Sequence, residues 1–365
     1  MAQSRAVAML QDRQWNKEYQ PMPGALSLSR SRPTQPPVLL VTRAIFPQIL
    51  DRLHQVFEVR SNQADDAWSP EELRARARDC DALMTTPAEQ VDAALLAACP
   101  RLRMCANVAV GFNNFDVQAM TAQGVLATNT PGVLTESTAD FAFALLMATA
   151  RRITESEQYL REGRWQRWRY DILLGQDVHG ATLGILGMGR IGQAVARRAA
   201  LGFGMPVLYH NRRRLPEAEE RACKARFVEF DALLQAADFL LLALPLTPEN
   251  RHIIGARELC RMQPHAMLIN IARGGIVDDA ALAEALRTGV IAGAGLDVFE
   301  NEPHVHPGLL AQHNVVLTPH AASATRATRL AMARLAADNL MTFFTRGHAL
   351  TALNPEVLET PFHRT

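Results

Sequence analysis

Features of nucleic-acid-binding and membrane proteins are missing from this sequence. The 365 residues carry a formal net charge of +1, which leaves no electrostatic footprint for nucleic acid or for an anionic membrane. The longest apolar runs, such as Phe239 to Leu246, have the length of a strand, whereas a helix needs roughly 20 apolar residues to cross a bilayer. These absences favour an ordinary globular protein.

Cysteine is also scarce. The five cysteines have neither an even count nor the spacing of metal ligands, which disfavours a disulfide framework and a zinc site. We expect most of them to be reduced and packed, as in a cytoplasmic protein. His304, His306 and His313 fall in one loop region but lack a recognised ligand spacing. We therefore predict no metal ion, with a site at these histidines as the weaker alternative.

The first 36 residues differ in composition from the rest of the chain. They are rich in arginine, serine and proline and have little apolar periodicity, which predicts a disordered leader over residues 1–36. A transit peptide is the alternative, because such segments are also rich in arginine and serine. The acidic residues Asp12 and Glu18 count against that alternative.

From Val38 onward, short apolar strands alternate with helical segments. The alternation predicts an α/β protein, and the chain length favours two domains. Ser137-Thr138-Ala139-Asp140 has the form of a capping box, and we expect it to open a long helix that leads into the second domain. The last helix, about Thr325 to Phe344, should pack back on the first domain, which is then discontinuous.

A glycine fingerprint lies early in the second domain. Gly187, Gly189 and Gly192 follow a predicted strand and begin a predicted helix. The first glycine makes the tight turn, the second lets the backbone approach a pyrophosphate, and the third allows close helix–strand packing. The helix N-terminus, with Arg190 and Ile191 in its first turn, would face the phosphates. The second domain is therefore predicted to bind a dinucleotide.

The end of the next predicted strand indicates which dinucleotide. An NAD site places Asp or Glu about twenty residues past the glycines. Here Asn211 occupies that position, and Arg212, Arg213 and Arg214 follow it. A carboxylate would repel a 2′-phosphate, whereas arginine binds it bidentately. We predict that NADP(H) is preferred to NAD(H), with a solvated basic turn as the alternative.

Three residues in the C-terminal half could carry out a reduction. Arg273, Glu302 and His320 each follow a short apolar run that is typical of a strand. They supply a cation for the carboxylate and carbonyl of a 2-oxo acid, an imidazole to donate a proton, and a carboxylate to keep that imidazole protonated. Glu300 lies in the same run as Glu302 and is its rival. Asp297 could hold the nicotinamide carboxamide, with a strand-end cap as the alternative.

These motifs resemble the D-isomer-specific 2-hydroxyacid dehydrogenase family from about Val38 to the last helix. The runs that carry the resemblance are Val110 to Asp116, the glycine fingerprint, Asn270 to Gly274, Gly295 to Pro303 and Thr318 to His320. The resemblance implies that Arg273, Glu302 and His320 form the catalytic triad. It implies two Rossmann-like, doubly wound parallel-sheet domains. The substrate domain covers 37–136 and 320–350, and the dinucleotide-binding domain covers 137–319. A C-terminal tail over 351–365 follows them.

The resemblance also implies finer assignments. Glu302 directly precedes Pro303, as the family carboxylate does, which favours it over Glu300. The backbone amides of Val110 and Gly111 would bind the substrate carboxylate.

Within the family, the sequence is most similar to the glyoxylate/hydroxypyruvate reductases and the bacterial 2-ketogluconate reductases, in which NADPH preference is usual. This implies reduction of small 2-oxo acids to D-2-hydroxy acids with His320 as the proton donor. It also implies a homodimer, held together by the segment around Ala139 to Tyr170. Ala321 and Ala322 stand where many relatives have Ile-Gly, which leaves the substrate range open.

Two alternatives are weighed against this function. A phosphoglycerate dehydrogenase would carry the NAD-type acidic residue and commonly a regulatory domain after the core, and neither is evident. A corepressor-like protein that binds NAD(P) as a sensor would also keep the triad, but its peptide-binding segments have no evident counterpart.

Overall fold

Two separate β-sheets organise the described part of the chain. The structure is a computed structural model that describes residues 35–359. The predicted leader up to residue 34 and the end of the predicted tail, residues 360–365, lie outside the described residues. Within residues 35–359, no helix is long and apolar enough to cross a membrane.

The first sheet has five strands: β1 (Val38–Val41), β2 (Glu58–Ser61), β3 (Ala82–Thr85), β4 (Met104–Asn107) and β5 (Leu126–Thr128). They pair in the order β2-β1-β3-β4-β5, and every pairing is parallel. All strands except the edge strand β2 are buried along their whole length, as is typical of parallel sheets covered on both faces.

Four helices connect these strands: α1 (Pro47–Leu53), α2 (Pro70–Ala77), α3 (Ala93–Ala98) and α4 (Val117–Ala122). Polar side chains cap three of them. Ser69 forms a capping box at the start of α2, and Asp92 and Asp116 accept hydrogen bonds from backbone N–H groups of α3 and α4. These caps satisfy N–H groups that have no partner within the helix.

The second sheet has seven strands: β6 (Leu183–Leu186), β7 (Val207–His210), β8 (Ala225–Phe227), β9 (Phe239–Leu242), β10 (Met267–Asn270), β11 (Gly293–Leu296) and β12 (Val315–Leu317). They pair in parallel in the order β12-β11-β10-β9-β6-β7-β8. The strand order reverses between β6 and β9. In open α/β sheets, ligands bind beyond the carboxyl ends of the strands at such a switch point.

The helices around this sheet are α5 (Thr135–Ala150), α6 (Ile153–Arg161), α7 (Arg190–Gly202), α8 (Glu217–Cys223), α9 (Phe230–Ala236), α10 (Ala256–Leu259), α11 (Asp279–Thr288) and α12 (Pro307–Leu310). The long helix α13 (Arg326–Arg346) then returns to the first sheet, where Met332, Ala336 and Leu340 pack with Leu39 and Met84. Two parallel-sheet α/β units, the first of them built from both ends of the described chain, confirm the predicted fold class.

We call residues 37–134 and 323–359 the first lobe and residues 135–322 the second lobe. The sequence placed a tail after residue 350, whereas the structure packs residues 351–359 on the first lobe. Leu353 N donates to Ala127 O at 2.8 Å, and the buried Asn354 accepts from Ala127 N through Oδ1 at 2.8 Å. These contacts satisfy the free edge of β5, so the first lobe extends to the last described residues.

The predicted capping box at Ser137 is wrong. Helix α5 begins at Thr135 with Leu134 as its N-cap residue, so Ser137 and Asp140 lie inside the helix. The Ser137 hydroxyl is buried without a hydrogen-bond partner in the described structure. Thr138 and Ala139 are buried on the core-facing side of the helix. Packing of this side therefore starts the helix at Thr135, before the polar residues that were expected to begin it.

Candidate active site

The three predicted catalytic residues meet at the carboxyl edge of the second sheet. Arg273 follows β10, Glu302 follows β11 and His320 follows β12. Because these strands are parallel neighbours, their carboxyl ends lie side by side. The loops after them are therefore brought to one place, at the edge where ligands bind in open α/β sheets.

His320 and Glu302 form a hydrogen-bonded pair. Nδ1 of His320 lies 2.8 Å from Oε2 of Glu302, and each side chain is 34% exposed. The other carboxylate oxygen, Oε1, accepts from the backbone N–H of Phe299 at 3.0 Å. An ionised carboxylate only accepts, so Nδ1 carries the hydrogen of this bond. Nε2 of His320 has no hydrogen-bond partner among the described residues.

The charge of Glu302 is stabilised by its neighbours. Burial would raise the pKa of Glu302, but the hydrogen bond and charge of His320, the N–H of Phe299 and the charge of Arg273 outweigh it and hold that pKa below its ordinary value. A carboxylate that stays ionised favours the imidazolium form of its partner.

Asp297 holds the turn that carries His320. It is fully buried, and its Oδ1 accepts from Thr318 Oγ1 and Ala321 N, both at 2.7 Å. Oδ2 accepts from Ala322 N at 2.9 Å, and the backbone N–H of His320 donates to Asp297 O at 2.9 Å. His320 has a φ of +52°, a strained value for a non-glycine residue. These bonds hold that backbone, which is the strand-end cap considered as the alternative role of Asp297; a contact with the nicotinamide carboxamide stays a prediction.

Glu300 makes different contacts from Glu302. Its carboxylate accepts from Arg251 Nη2 and lies 2.9 Å from His252 Nε2, and its backbone N–H donates to Asp279 Oδ2 at 3.0 Å. Glu300 is thus engaged away from His320. The structure places Glu302, and not its rival, on the imidazole.

Arg273 lies between the two lobes. Its guanidinium donates from Nη1 to Ala272 O at 2.7 Å and from Nε to Asn113 Oδ1 at 3.0 Å. Burial lowers the pKa of Arg273, and the nearby Glu302 opposes that shift; arginine nevertheless stays charged in proteins. A Cβ on Gly111 would lie 1.7 Å from Nη2, so only glycine admits the guanidinium at this distance.

The loop beside Arg273 presents two free amides. The carbonyl of Val110 accepts from Asn129 Nδ2 at 2.7 Å, and the carbonyl of Gly111 accepts from Asn107 Nδ2 at 3.0 Å. Neither N–H group donates a hydrogen bond to an acceptor among residues 35–359. With Arg273, these N–H groups form a set of donors suited to a carboxylate. Sequence reasoning missed Asn113, although it lies in the same loop motif, two residues after Gly111.

The glycine fingerprint forms a strand–turn–helix at the switch point. Gly187 has a φ of +101°, and its Cβ would lie 2.7 Å from the backbone of Ala243. A Cβ on Gly192 would lie 2.4 Å from Gly187 O, whereas nothing lies within 4 Å of the corresponding position on Gly189. Helix α7 begins at Arg190 with no side-chain cap, so the N–H groups of its first turn are free for an anion. These features fit a dinucleotide pyrophosphate.

The predicted 2′-phosphate residues differ in what they contact. Asn211 Oδ1 accepts from Met188 N at 2.7 Å, so the exposed part of this amide is its Nδ2 donor. Arg214 makes two hydrogen bonds to Glu220, at 2.8 and 2.7 Å, so this arginine is already occupied. Arg212 and Arg213 are exposed and have no ion pair within the described residues.

Hydrogen bonds of Tyr209 and Glu220 beneath this turn fix its shape. Tyr209 OH donates to Glu220 Oε1 at 2.6 Å and accepts from Leu215 N at 2.9 Å. The hydrogen bonds from Arg214 and Tyr209 lower the pKa of Glu220 to about 2. Burial, followed by the bond to Glu220, raises the pKa of Tyr209 to about 12.

Metal ligands are not assembled in the described residues. No group of three His, Cys, Asp or Glu side chains within residues 35–359 could hold a metal ion. His306 instead accepts from Gly308 N through Nδ1 at 3.1 Å. The five cysteines are free, and all but Cys260 are buried.

Comparison with known proteins gives consistent matches. Residues 143–322 match the profile of the D-isomer specific 2-hydroxyacid dehydrogenase, NAD binding domain. A glyoxylate reductase of Thermococcus gammatolerans is 49% identical over 327 residues, which cover 88% of this chain and 97% of that protein. The NADPH-dependent glyoxylate/hydroxypyruvate reductase of Sinorhizobium meliloti, solved with NADP and malonate, superposes with a TM-score of 0.79 at 39% identity and covers 87% of this chain and 98% of its own. A glyoxylate reductase from Paecilomyes thermophila gives a TM-score of 0.79 at 34% identity, covering 88% and 99%.

Proposed function

Because this chain belongs to the D-isomer specific 2-hydroxyacid dehydrogenase family, we propose that it reduces small 2-oxo acids to D-2-hydroxy acids with NADPH. Glyoxylate, hydroxypyruvate and 2-ketogluconate are the substrates proposed. The observation that carries the proposal is the His320–Glu302 pair, 2.8 Å apart, at the same sheet edge as Arg273 and the free amides of Val110 and Gly111.

The substrate carboxylate binds between the lobes. Nη2 of Arg273 and the N–H groups of Val110 and Gly111 donate to its oxygens, and the guanidinium also polarises the adjacent carbonyl. A planar fork of donors matches a planar carboxylate, and fixed donors stabilise the charge that develops on the carbonyl oxygen. A nicotinamide cofactor held at Gly187 and Gly189 would supply the hydride for the carbonyl carbon.

His320 completes the reaction as the proton donor. Its Nε2 gives a proton to the carbonyl oxygen as the carbonyl carbon receives the hydride, so the carbonyl group becomes a hydroxyl group and the ring becomes neutral. Glu302 holds the ring through Nδ1 and favours its charged form before the transfer. In the reverse direction, the neutral ring takes the hydroxyl proton.

NADPH preference rests on the turn after β7. Gly187, Gly189 and the first turn of α7, with Arg190 and Ile191, would hold the pyrophosphate. At the ribose, Asn211 presents its Nδ2 donor because its Oδ1 is already bonded to Met188. Exposed Arg212 and Arg213 add two cations that a 2′-phosphate, an acceptor only, can bind.

A homodimer is proposed from exposed aromatic side chains. Trp165, Trp168 and Tyr170, after α6, are 54%, 73% and 88% exposed. Large aromatic side chains are enriched at protein–protein interfaces, and grouped exposed apolar residues mark interaction sites. The partner proposed for this surface is a second copy of the chain.

A panel assay tests the proposed reaction. Purified protein is incubated with glyoxylate, hydroxypyruvate or 2-ketogluconate and with NADPH or NADH, and cofactor oxidation is followed. We expect oxidation of NADPH with at least one substrate and a lower Michaelis constant for NADPH than for NADH. Oxidation with none of the substrates would reject the reaction, and a lower Michaelis constant for NADH would reject only the cofactor preference.

The variant His320→Ala links the activity to the proposed proton donor. We expect turnover to fall by roughly 100-fold or more, the range of general acid catalysis, while NADPH still binds. Loss of NADPH binding in this variant would show that His320 supports the cofactor site instead.

A further inference from the structure

Asn113 links the two lobes through the catalytic arginine. It follows β4 in the first lobe, and its Oδ1 accepts from Nε of Arg273, which belongs to the second lobe, at 3.0 Å. This hydrogen bond spans 160 residues of sequence and joins the loop after β4 to the loop after β10. The position of Arg273 therefore depends on a side chain across the cleft.

The hydrogen bonds of Arg273 leave one edge of its guanidinium available. Of the five N–H donors that arginine carries, Nε is taken by Asn113 and Nη1 donates to Ala272 O at 2.7 Å. Nη2 has no acceptor among the described residues, and it lies against Gly111. With Nε and Nη1 both held, rotation of the planar group is restricted, and Nη2 stays beside the free amides.

We propose that Asn113 is a positioning residue for 2-oxo acid reduction. By accepting from Nε of Arg273, it keeps Nη2 beside the N–H groups of Val110 and Gly111, so that the carboxylate site is complete only when the two lobes are apposed. The inference rests on the proposed function, because it names what orients that site. Asn113 acts through Arg273 and needs no contact of its own with the substrate.

A double-mutant cycle tests this role. Asn113→Ala should lower kcat/KM for glyoxylate by roughly tenfold, the effect expected for one hydrogen bond to a charged group, with the Kd for NADPH unchanged. In the Arg273→Ala background, Asn113→Ala should have no further effect, because the group it orients is gone. Gln118→Ala is the matched control, since this exposed amide of α4 makes no hydrogen bond in the described structure.

Asn113→Asp separates orientation from charge. The aspartate keeps an acceptor for Nε, so kcat should stay near the wild-type value. Its negative charge faces the substrate carboxylate, so KM should rise, and the rise should shrink as salt screens the repulsion. A loss of kcat/KM in Asn113→Asp that equals that of Asn113→Ala and persists at high salt would contradict the orienting role.

Two results would overturn the inference. The first is a kcat/KM for Asn113→Ala within about twofold of wild type; the second is an equal loss in the presence and absence of Arg273, which would mean independent action. Oxalate binding to the NADP complex, measured by calorimetry, separates this inference from the proposed reaction. Oxalate binding that weakens in Asn113→Ala supports the role of Asn113 even in a protein that reduces no 2-oxo acid, and binding that is absent or unchanged contradicts it.

Discussion

Glu300 and Glu302, separated by a single residue, make different contacts. Glu302 holds His320 at 2.8 Å, while Glu300 accepts from Arg251 and His252. Gly274 packs against the backbone of this turn, because a Cβ there would be 1.7 Å from Phe299 O. The turn that contains both carboxylates thus packs directly against the loop that follows Arg273.

The two carboxylates should respond differently to the same substitution. Glu302→Gln removes the charge that favours the imidazolium, and we expect kcat to fall by roughly 100-fold, with the Kd for NADPH unchanged. Glu300→Gln keeps an acceptor for Arg251 and touches no reacting atom, so its loss should be about tenfold or less. Steady-state kinetics and NADPH titration of both variants check this, and equal losses would contradict the assignment.

Two glycines should separate substrate binding from cofactor binding. In Gly111→Ala, the new Cβ meets the guanidinium of Arg273 at 1.7 Å, which must displace it, so KM for the 2-oxo acid should rise strongly. In Gly189→Ala, nothing of the protein lies within 4 Å of the new Cβ, but the methyl group occupies the predicted pyrophosphate approach.

The measurements for these glycine variants are the Kd for NADPH and KM for glyoxylate, with thermal unfolding to verify folding. We expect only KM to change in Gly111→Ala and the Kd for NADPH to weaken in Gly189→Ala. Unchanged NADPH affinity in a folded Gly189→Ala variant would argue against a pyrophosphate at this turn.

Some site residues could be found from the sequence and others could not. Arg273, Glu302 and His320 follow short apolar strands, and the parallel pairing of these strands brings their loops together. Asn113 could not be identified, because its partner lies 160 residues away and the contact exists only when two lobes meet. No local pattern encodes such a contact.

At the scale of elements, the turn after β7 is held by helix α8. Glu220 of this helix receives hydrogen bonds from Arg214 and from Tyr209. The sequence showed three successive arginines after Asn211 but not that one of them is paired, because the carboxylate lies on the next helix. The first residue of helix α5 could not be predicted from the local sequence either, because packing against other elements sets where the helix begins.

The hydrogen bonds that Glu220 accepts from Arg214 and Tyr209 should make the stability of the protein depend on pH. Its folded-state pKa of about 2 lies below the ordinary value of 4.5, so the unfolded chain binds the proton more tightly. The stabilising contribution is therefore complete above pH 4.5 and is lost as the pH falls toward 2. In Glu220→Gln, we expect the midpoint of urea unfolding to be lower than that of the wild type at neutral pH. The difference between the two midpoints should become smaller below pH 4.5.

Glu217→Gln is the control for this titration. Glu217 lies on the same helix and pairs with Arg221 at the surface, where ion pairs contribute little. Its unfolding midpoint should follow the wild type across the pH range. If the difference in unfolding midpoint between the wild type and Glu220→Gln stays constant at all pH values, packing, and not the ionised carboxylate, stabilises the turn.

At the scale of the whole molecule, the proposed site lies between the two lobes. Ile191, at the start of α7, packs against core residues of both lobes. The helix that would hold the cofactor pyrophosphate is therefore in contact with the lobe that carries the substrate amides. Binding of the cofactor and apposition of the lobes are expected to favour each other.

The exposed aromatic segment gives the prediction for the assembled protein. Trp168 and Tyr170 are in edge contact, with ring centroids 6.3 Å apart, and both are largely exposed in a single chain. If a second copy covers them, the double variant Trp168→Ser, Tyr170→Ser should dissociate to monomer at micromolar concentration in light scattering, with its circular dichroism unchanged. Leu310→Ser is the control, because Leu310 is 63% exposed but lies on α12. A double variant with the same mass as wild type, or a wild type that is already monomeric, would mean that these aromatic residues do not hold two copies together.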